Sequence, residues 1–181
     1  VCIGRLVPIK RVDDFVATLA QLPGYHGDIV GDGPEAAALA ARAEVVARGR
    51  ITLRRTVDEV VRLLPAWDAL VLPSVREGCP LVAIEAFAAG VPVFGYDVPG
   101  VRDALATLGH GVLVPEVAGP LGLAAALAAW LADADAVATL TERARAAVAA
   151  CAPERVATAL LERYRAACAV ASRSRTLPEP C

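Results

Sequence analysis

Two carboxylates, Glu77 and Glu85, stand eight positions apart, with Gly78, Cys79 and Pro80 after the first and an apolar run around the second. Proline loses nothing at a first helical position, so a helix is expected to open at Pro80. Glu77 then lies in the loop before it and Glu85 about a turn and a half inside. A carboxylate only accepts hydrogen bonds, which suits it to the paired hydroxyls of a ribose or hexose. The amides of Cys79, Leu81 and Val82 can meet phosphate oxygens at such a helix start, whereas Pro80 has none to give. Glu85 shares a face with Val82, Ala86 and Ala89, where a charge needs a partner, unless the face is simply exposed.

A second constellation lies near the beginning. Arg5 and Lys10 put a guanidinium fork and a point charge within one turn, as a diphosphate would require, each charge-assisted bond contributing about 1.5–3 kcal/mol. Alternatively they are ordinary surface cations. Lys10 is the only lysine among 18 basic residues, so it marks a place where an ammonium is not exchangeable for a guanidinium, or a chance survivor on a solvated loop. Gly31-Asp32-Gly33-Pro34 offers amides to an anion or sugar, or is merely a tight connection. It lacks a third glycine in the dinucleotide spacing and follows the second strand rather than the first, which argues against NAD or FAD.

These residues require elements to hold them. Short apolar runs at 1–4, 28–31, 51–54, 69–73, 92–96 and 111–114 alternate with helical patterns at 12–22, 34–47, 57–66, 80–89, 101–108 and 121–131. Runs apolar throughout, without in–out alternation, are strands covered on both faces. The expected architecture is α/β, a doubly wound, mostly parallel six-stranded sheet of Rossmann-like type with extra helices at the end. In such sheets ligands sit beyond the carboxyl ends of the strands, where the turns named above fall. Gly90 reads as a helix C-cap, and Asp133-Ala134-Asp135 as a helix start. A last helix over 153–171 carries Val156, Leu160, Leu161, Tyr164 and Cys168 on one stripe, and 172–181 reads as an irregular tail.

Composition narrows the classes. The 181 residues suggest one domain, 1–171, and that tail. Hydrophobic residues make up 56%, yet the longest uncharged apolar stretch, 117–132, is broken by Gly119, Pro120 and Gly122 and falls short of the ~20 residues of a membrane span. A net charge of −2 without a basic cluster argues against nucleic acid. Five cysteines without CxxC or CxxH spacing read as reduced thiols in a cytoplasmic protein with no zinc site. The absence of methionine and the apolar opening suggest a piece of a longer polypeptide.

The ordered set GRLVPIK (4–10), IVGDGPE (29–35), WDALVLPSVREGCPLVAIEAFAAGVPV (67–93), PGVRDAL (99–105), GHGVLV (109–114) and PERVA (153–157) resembles the C-terminal domain of family 4 (group 1) retaining glycosyltransferases of the GT-B fold. The resemblance covers about 1–168. It implies a nucleoside diphosphate sugar donor, UDP-, GDP- or ADP-linked, with transfer of a hexose-type sugar to an acceptor hydroxyl and without cofactor or obligatory metal. Arg5 and Lys10 would bind the diphosphate and stabilise the leaving nucleotide, Glu85 would take the ribose hydroxyls, and Glu77 would lie beside the sugar. Gly4, Gly31, Gly33, Gly78, Cys79, Pro80, Leu81 and Val82 would complete the donor site. Relatives carry an N-terminal domain that supplies the acceptor site, a sugar, lipid or small molecule, so this piece alone would transfer no sugar. Peripheral membrane contact would fall to the full-length protein. Cys79 replaces a usual aromatic, Pro99-Gly100 a usual Gly-Gly, and Arg54-Arg55 occupies a turn that borders the nucleobase in relatives, where Arg55 would stack on the base, hydrogen-bond it or block it. The alternatives are a catalytically silent nucleotide- or sugar-binding module, or a GT-B relative such as a nucleotide-sugar epimerase.

Overall fold

The computed structural model describes residues 1–55, 60–108, 111–149 and 151–173. Among them β1 (Cys2–Ile3), β2 (Gly27–Val30), β3 (Ile51–Arg54), β4 (Leu70–Leu72), β5 (Val93–Tyr96) and β6 (Gly111–Val114) alternate with α1 (Val12–Ala20), α2 (Ala36–Val46), α3 (Val60–Leu63), α4 (Leu81–Ala89) and α5 (Val101–Leu108). Helices α6 (Gly119–Leu131), α7 (Ala134–Ala149) and α8 (Pro153–Arg173) follow. All strand pairs are parallel, β1-β2-β3 on one side and β4-β5-β6 on the other. The halves join where the Val1 nitrogen donates to Ala69 O at 2.7 Å and Val71 N donates to Val1 O at 2.8 Å, the alternation of a parallel ladder. The strand order is therefore 3-2-1-4-5-6, and it reverses between β1 and β4. Residues 57–59 and 109–110, expected in a helix and a motif, lie outside the described residues.

The inner strands are mostly apolar because helices cover both faces; the exception is Asp28 in β2, which accepts hydrogen bonds from Arg54 and Trp67. Ile29, Leu70, Val71, Val93 and Phe94 are buried against Phe15, Val16, Ala86, Phe87 and Leu123, and Phe94 meets Trp130 edge-on at 5.5 Å. Element ends shift from the expected ones where loops claim the backbone. Helix α2 begins at Ala36 and not at Pro34, because Glu35 N donates to Leu6 O at 3.1 Å in the neighbouring loop. Helix α4 begins at Leu81: Pro80, with ψ 88, caps the helix instead of opening it, and its carbonyl accepts Ala83 N at 2.9 Å.

Asp133 does start a helix, its Oδ1 accepting Ala136 N at 2.9 Å at the head of α7. That helix lies along α4 and closes the latter's end: Gly90 is left-handed there, Thr141 Oγ1 donates to Gly90 O at 3.1 Å, and Arg145 Nη2 donates to Ala89 O at 3.3 Å. Helix α8 continues through Ser172 and Arg173, which the sequence assigned to the tail. Its stripe of Val156, Leu160, Leu161 and Tyr164 is uncovered. Among the described residues no single helix is long and apolar enough to cross a membrane.

Candidate functional site

Four loops leave the carboxyl edge of the sheet, and their backbones are stitched together. The loop after β1 bonds to the loop after β2 through Gly4 N to Val30 O at 3.0 Å and Leu6 N to Asp32 O at 2.8 Å. It bonds to the loop after β4 through Val75 N to Ile9 O at 2.9 Å. The loop after β4 in turn bonds to the loop after β5 through Glu77 N to Pro99 O at 3.1 Å. Gly31 and Gly100 are what allow this. A Cβ on Gly31 would stand 1.8 Å from Gly4 O, and one on Gly100, whose φ is +80°, 1.8 Å from Glu77 O. Of the two readings of Gly31-Asp32-Gly33, the tight connection is the one observed. Gly31 N donates to Arg54 O at 2.9 Å and Gly33 N to Asp32 Oδ1 at 2.7 Å, so neither amide is free for an anion.

Inside this rim lies a cleft of two lobes. One, of about 300 Å³, is lined by Gly4, Lys10, Ser74, Glu77, Cys79 and Glu85 among others. The other, of about 270 Å³, is lined by Arg5, Gly31 and Asp32 and shares Ile3, Gly4 and Val60 with the first. Lys10 ends a 3-10 turn over Pro8–Lys10. Its Nζ donates to both oxygens of Glu77, at 2.6 and 2.7 Å. Ser74 Oγ donates to Glu77 Oε1 at 2.6 Å. The Glu77 side chain is 9% exposed and the Lys10 side chain 26%, so this ion pair is largely shielded from water. The two residues expected to grip phosphate and sugar separately thus hold each other.

The remaining charges are open. Arg5 is exposed with no described partner, and half-buried Glu85, for which the sequence demanded one, has none among the described residues and lines the first lobe. The amides of Cys79, Leu81 and Val82 at the head of α4 likewise have no described protein acceptor. Pro80, Leu81 and Val82 line the same lobe. Three expected residues are not brought to the cleft. Arg55 is exposed at the end of β3, and its neighbour Arg54 turns back to Asp28, Nε to Oδ2 at 3.0 Å. Gly33 packs on the Leu6 backbone. Gly78 lines a neighbouring cavity of about 210 Å³ with Cys79, Gly100 and Cys151.

Sequence reasoning gave Ser74, Pro99 and Gly100 no role in placing Glu77, and gave Arg11 none at all. Arg11, left-handed at φ 47°, bonds Asp14 at 2.8 Å and Glu116 at 2.9 Å and lies 5.1 Å from the Tyr96 ring centre. Tyr96 OH donates to Asp14 Oδ2 at 2.9 Å, and burial together with that bond holds its hydroxyl above the usual tyrosine range. This node secures the residue next to Lys10. A left-handed arginine has no sequence signature comparable to that of glycine.

Residues 1–133 match the family profile of group 1 glycosyl transferases. The chain belongs to that family. Among its relatives, the 2-deoxystreptamine N-acetyl-D-glucosaminyltransferase of Streptomyces fradiae is 35% identical over 173 residues, covering 91% of this chain and 38% of that enzyme. The D-inositol 3-phosphate glycosyltransferase of Jonesia denitrificans is 38% identical over 127 residues, 62% of this chain and 30% of that one. The chain thus spans less than half the length of these relatives. The fold is that of GT-B glycosyltransferases. Sucrose-phosphate synthase from Thermosynechococcus elongatus superposes with a TM-score of 0.76 at 30% identity over 93% of this chain and 45% of its own. Anabaena HepE in complex with UDP gives 0.78 at 21% identity, over 89% and 48%.

Proposed function

We propose that this chain is the donor-binding domain of a retaining glycosyltransferase, and that its cleft holds a nucleoside diphosphate sugar whose hexose-type unit passes to an acceptor hydroxyl. The observation that carries the reading is convergence. Arg5, Lys10, Glu85 and the unengaged amides at the head of α4 border one cleft at the point where the strand order reverses, the place where open α/β sheets bind ligands. HepE, whose fold this chain shares, is known in complex with UDP, and this supports a nucleotide ligand.

The chemistry follows from charge. As the glycosidic bond to the diphosphate lengthens, negative charge grows on the leaving oxygens, and preset cations and amides stabilise it without reorganising. Arg5 and Lys10 supply the cations, Cys79, Leu81 and Val82 the amides, and Glu85 accepts from the ribose hydroxyls. Glu77 lies at the sugar end. The acceptor site belongs to a domain outside this chain, which by itself transfers no sugar. Cysteines without paired spacing fit a cytoplasmic setting.

Calorimetric titration with UDP, GDP and ADP tests this. Arg5→Ala and Lys10→Ala are each expected to lower affinity for the preferred nucleotide about tenfold or more. Glu85→Gln is expected to erase the preference for a ribose over a 2′-deoxyribose nucleotide. Unchanged affinities in both cation variants would refute the diphosphate assignment, and a retained ribose preference would refute the role of Glu85.

A further inference from the structure

We propose that Ser74 is a positioning residue for the Lys10 ammonium, acting through the Glu77 carboxylate. Its consequence for ligand binding rests on the donor-site reading above, whereas its geometry does not. Glu77 accepts three hydrogen bonds: two from Lys10 Nζ and one, on Oε1, from Ser74 Oγ. An ammonium bonded to both oxygens fixes its distance from the carboxylate but not the plane of that carboxylate, since the two can swing together about the glutamate side chain. The third bond removes this freedom.

Ser74 is placed to do so. It is 2% exposed and leaves the sheet two residues after Leu72, the last residue of β4. Its successor Val75 is tied to Ile9 in the lysine's own loop, and the Glu77 backbone is tied to Pro99. The hydroxyl therefore refers the carboxylate, and through it the cation, to the rigid end of the sheet. An ammonium has three protons. Two are engaged on Glu77, which leaves one for the cleft, and its direction is set by the carboxylate plane. Without the Ser74 hydroxyl the pair persists but its orientation is no longer unique.

That Lys10 is the chain's only lysine makes the claim measurable without any ligand. Acylation of the side chain by acetic anhydride, read by mass spectrometry at Lys10, reports how firmly the ammonium is held, and 15N-lysine labelling gives its side chain a single resonance. In Ser74→Ala, acylation is expected to quicken about fivefold, the equivalent of one net hydrogen bond, and the resonance to report greater mobility. Ser74→Thr, which keeps the hydroxyl, is expected to return both to the parent values. Should Ser74→Ala not fold, Ser74→Cys carries the same expectation, because a thiol is a weak donor.

A thermodynamic cycle separates positioning from packing. Ser74→Ala is expected to weaken UDP binding about fivefold in the parent and not at all in the Lys10→Ala background. Unchanged acylation in a folded Ser74→Ala protein, or equal loss of UDP affinity with and without Lys10, would overturn the proposal. If the parent binds none of UDP, GDP or ADP while the acylation contrast holds, the donor-site reading falls and the positioning role stands.

Discussion

Lys10 sits in a largely shielded ion pair with Glu77 at the rim of the cleft, which explains why a chain otherwise supplied with arginine keeps one lysine. A guanidinium meets a carboxylate through a planar two-pronged fork, which sets its charge farther from the oxygens than an ammonium nitrogen at 2.6 and 2.7 Å, so an arginine carries its charge to a different point of the cleft. Lys10→Arg is thus expected to bind UDP about tenfold more weakly than the parent in a calorimetric titration, despite its conserved charge. That Glu77, Glu85, Arg5 and Lys10 would meet in one place was legible in the sequence, because the turns after parallel strands share an edge. The pairing of Lys10 with Glu77 was not, since 67 residues separate them and side-chain direction leaves no periodic trace. Nor was the dependence on Gly100, whose partner is a backbone atom. Gly100→Ala combines a positive φ with a Cβ at 1.8 Å from Glu77 O. It is expected to lower unfolding stability by about 2–3 kcal/mol, seen as a lower urea midpoint.

At the scale of elements, short apolar runs located all six strands: the inner ones are covered on both faces, whereas β3 at the sheet's edge alternates, with Ile51 and Leu53 half-buried and Thr52 and Arg54 exposed. Helix starts were less legible, because inter-loop hydrogen bonds take the residues that a proline marks. Asp133 is a cap whose loss is measurable: Asp133→Ala should cost about 1 kcal/mol in denaturant unfolding, through α7. The period of α8 predicts a helix and gives no information about what lies against it. Its Tyr164 is 65% exposed and Leu160 46%, so the stripe adds little to the stability of this chain. Leu160→Ser is expected to leave the unfolding free energy within about 0.5 kcal/mol, whereas Leu123→Ala, fully buried in α6, should cost about 2–5 kcal/mol.

The whole molecule is a doubly wound sheet whose strand-order reversal lies beside the cleft, and its interior sets its response to alkali. Burial pushes the Cys2 thiol from 9.0 up to about 12, and burial with the Asp14 bond raises the Tyr96 hydroxyl. Unfolded chains release these protons at lower pH than the folded protein does. The stability conferred by Cys2 is therefore complete below about pH 9 and that conferred by Tyr96 below about pH 10, and each declines above its own threshold by at most roughly 1.4 kcal/mol per pH unit. Urea unfolding at pH 8, 9.5 and 10.5 is expected to show that decline, with a smaller slope in Cys2→Ala. Whether the cleft holds a diphosphate is decided by titrating uridine, UMP and UDP in turn against the parent and against the Arg5→Ala/Lys10→Ala double variant. Parent affinity is expected to climb with each phosphate, by about tenfold or more in all, and the climb to disappear in the double variant. Equal affinity of the parent for uridine and UDP, or a climb that survives the loss of both cations, would contradict it.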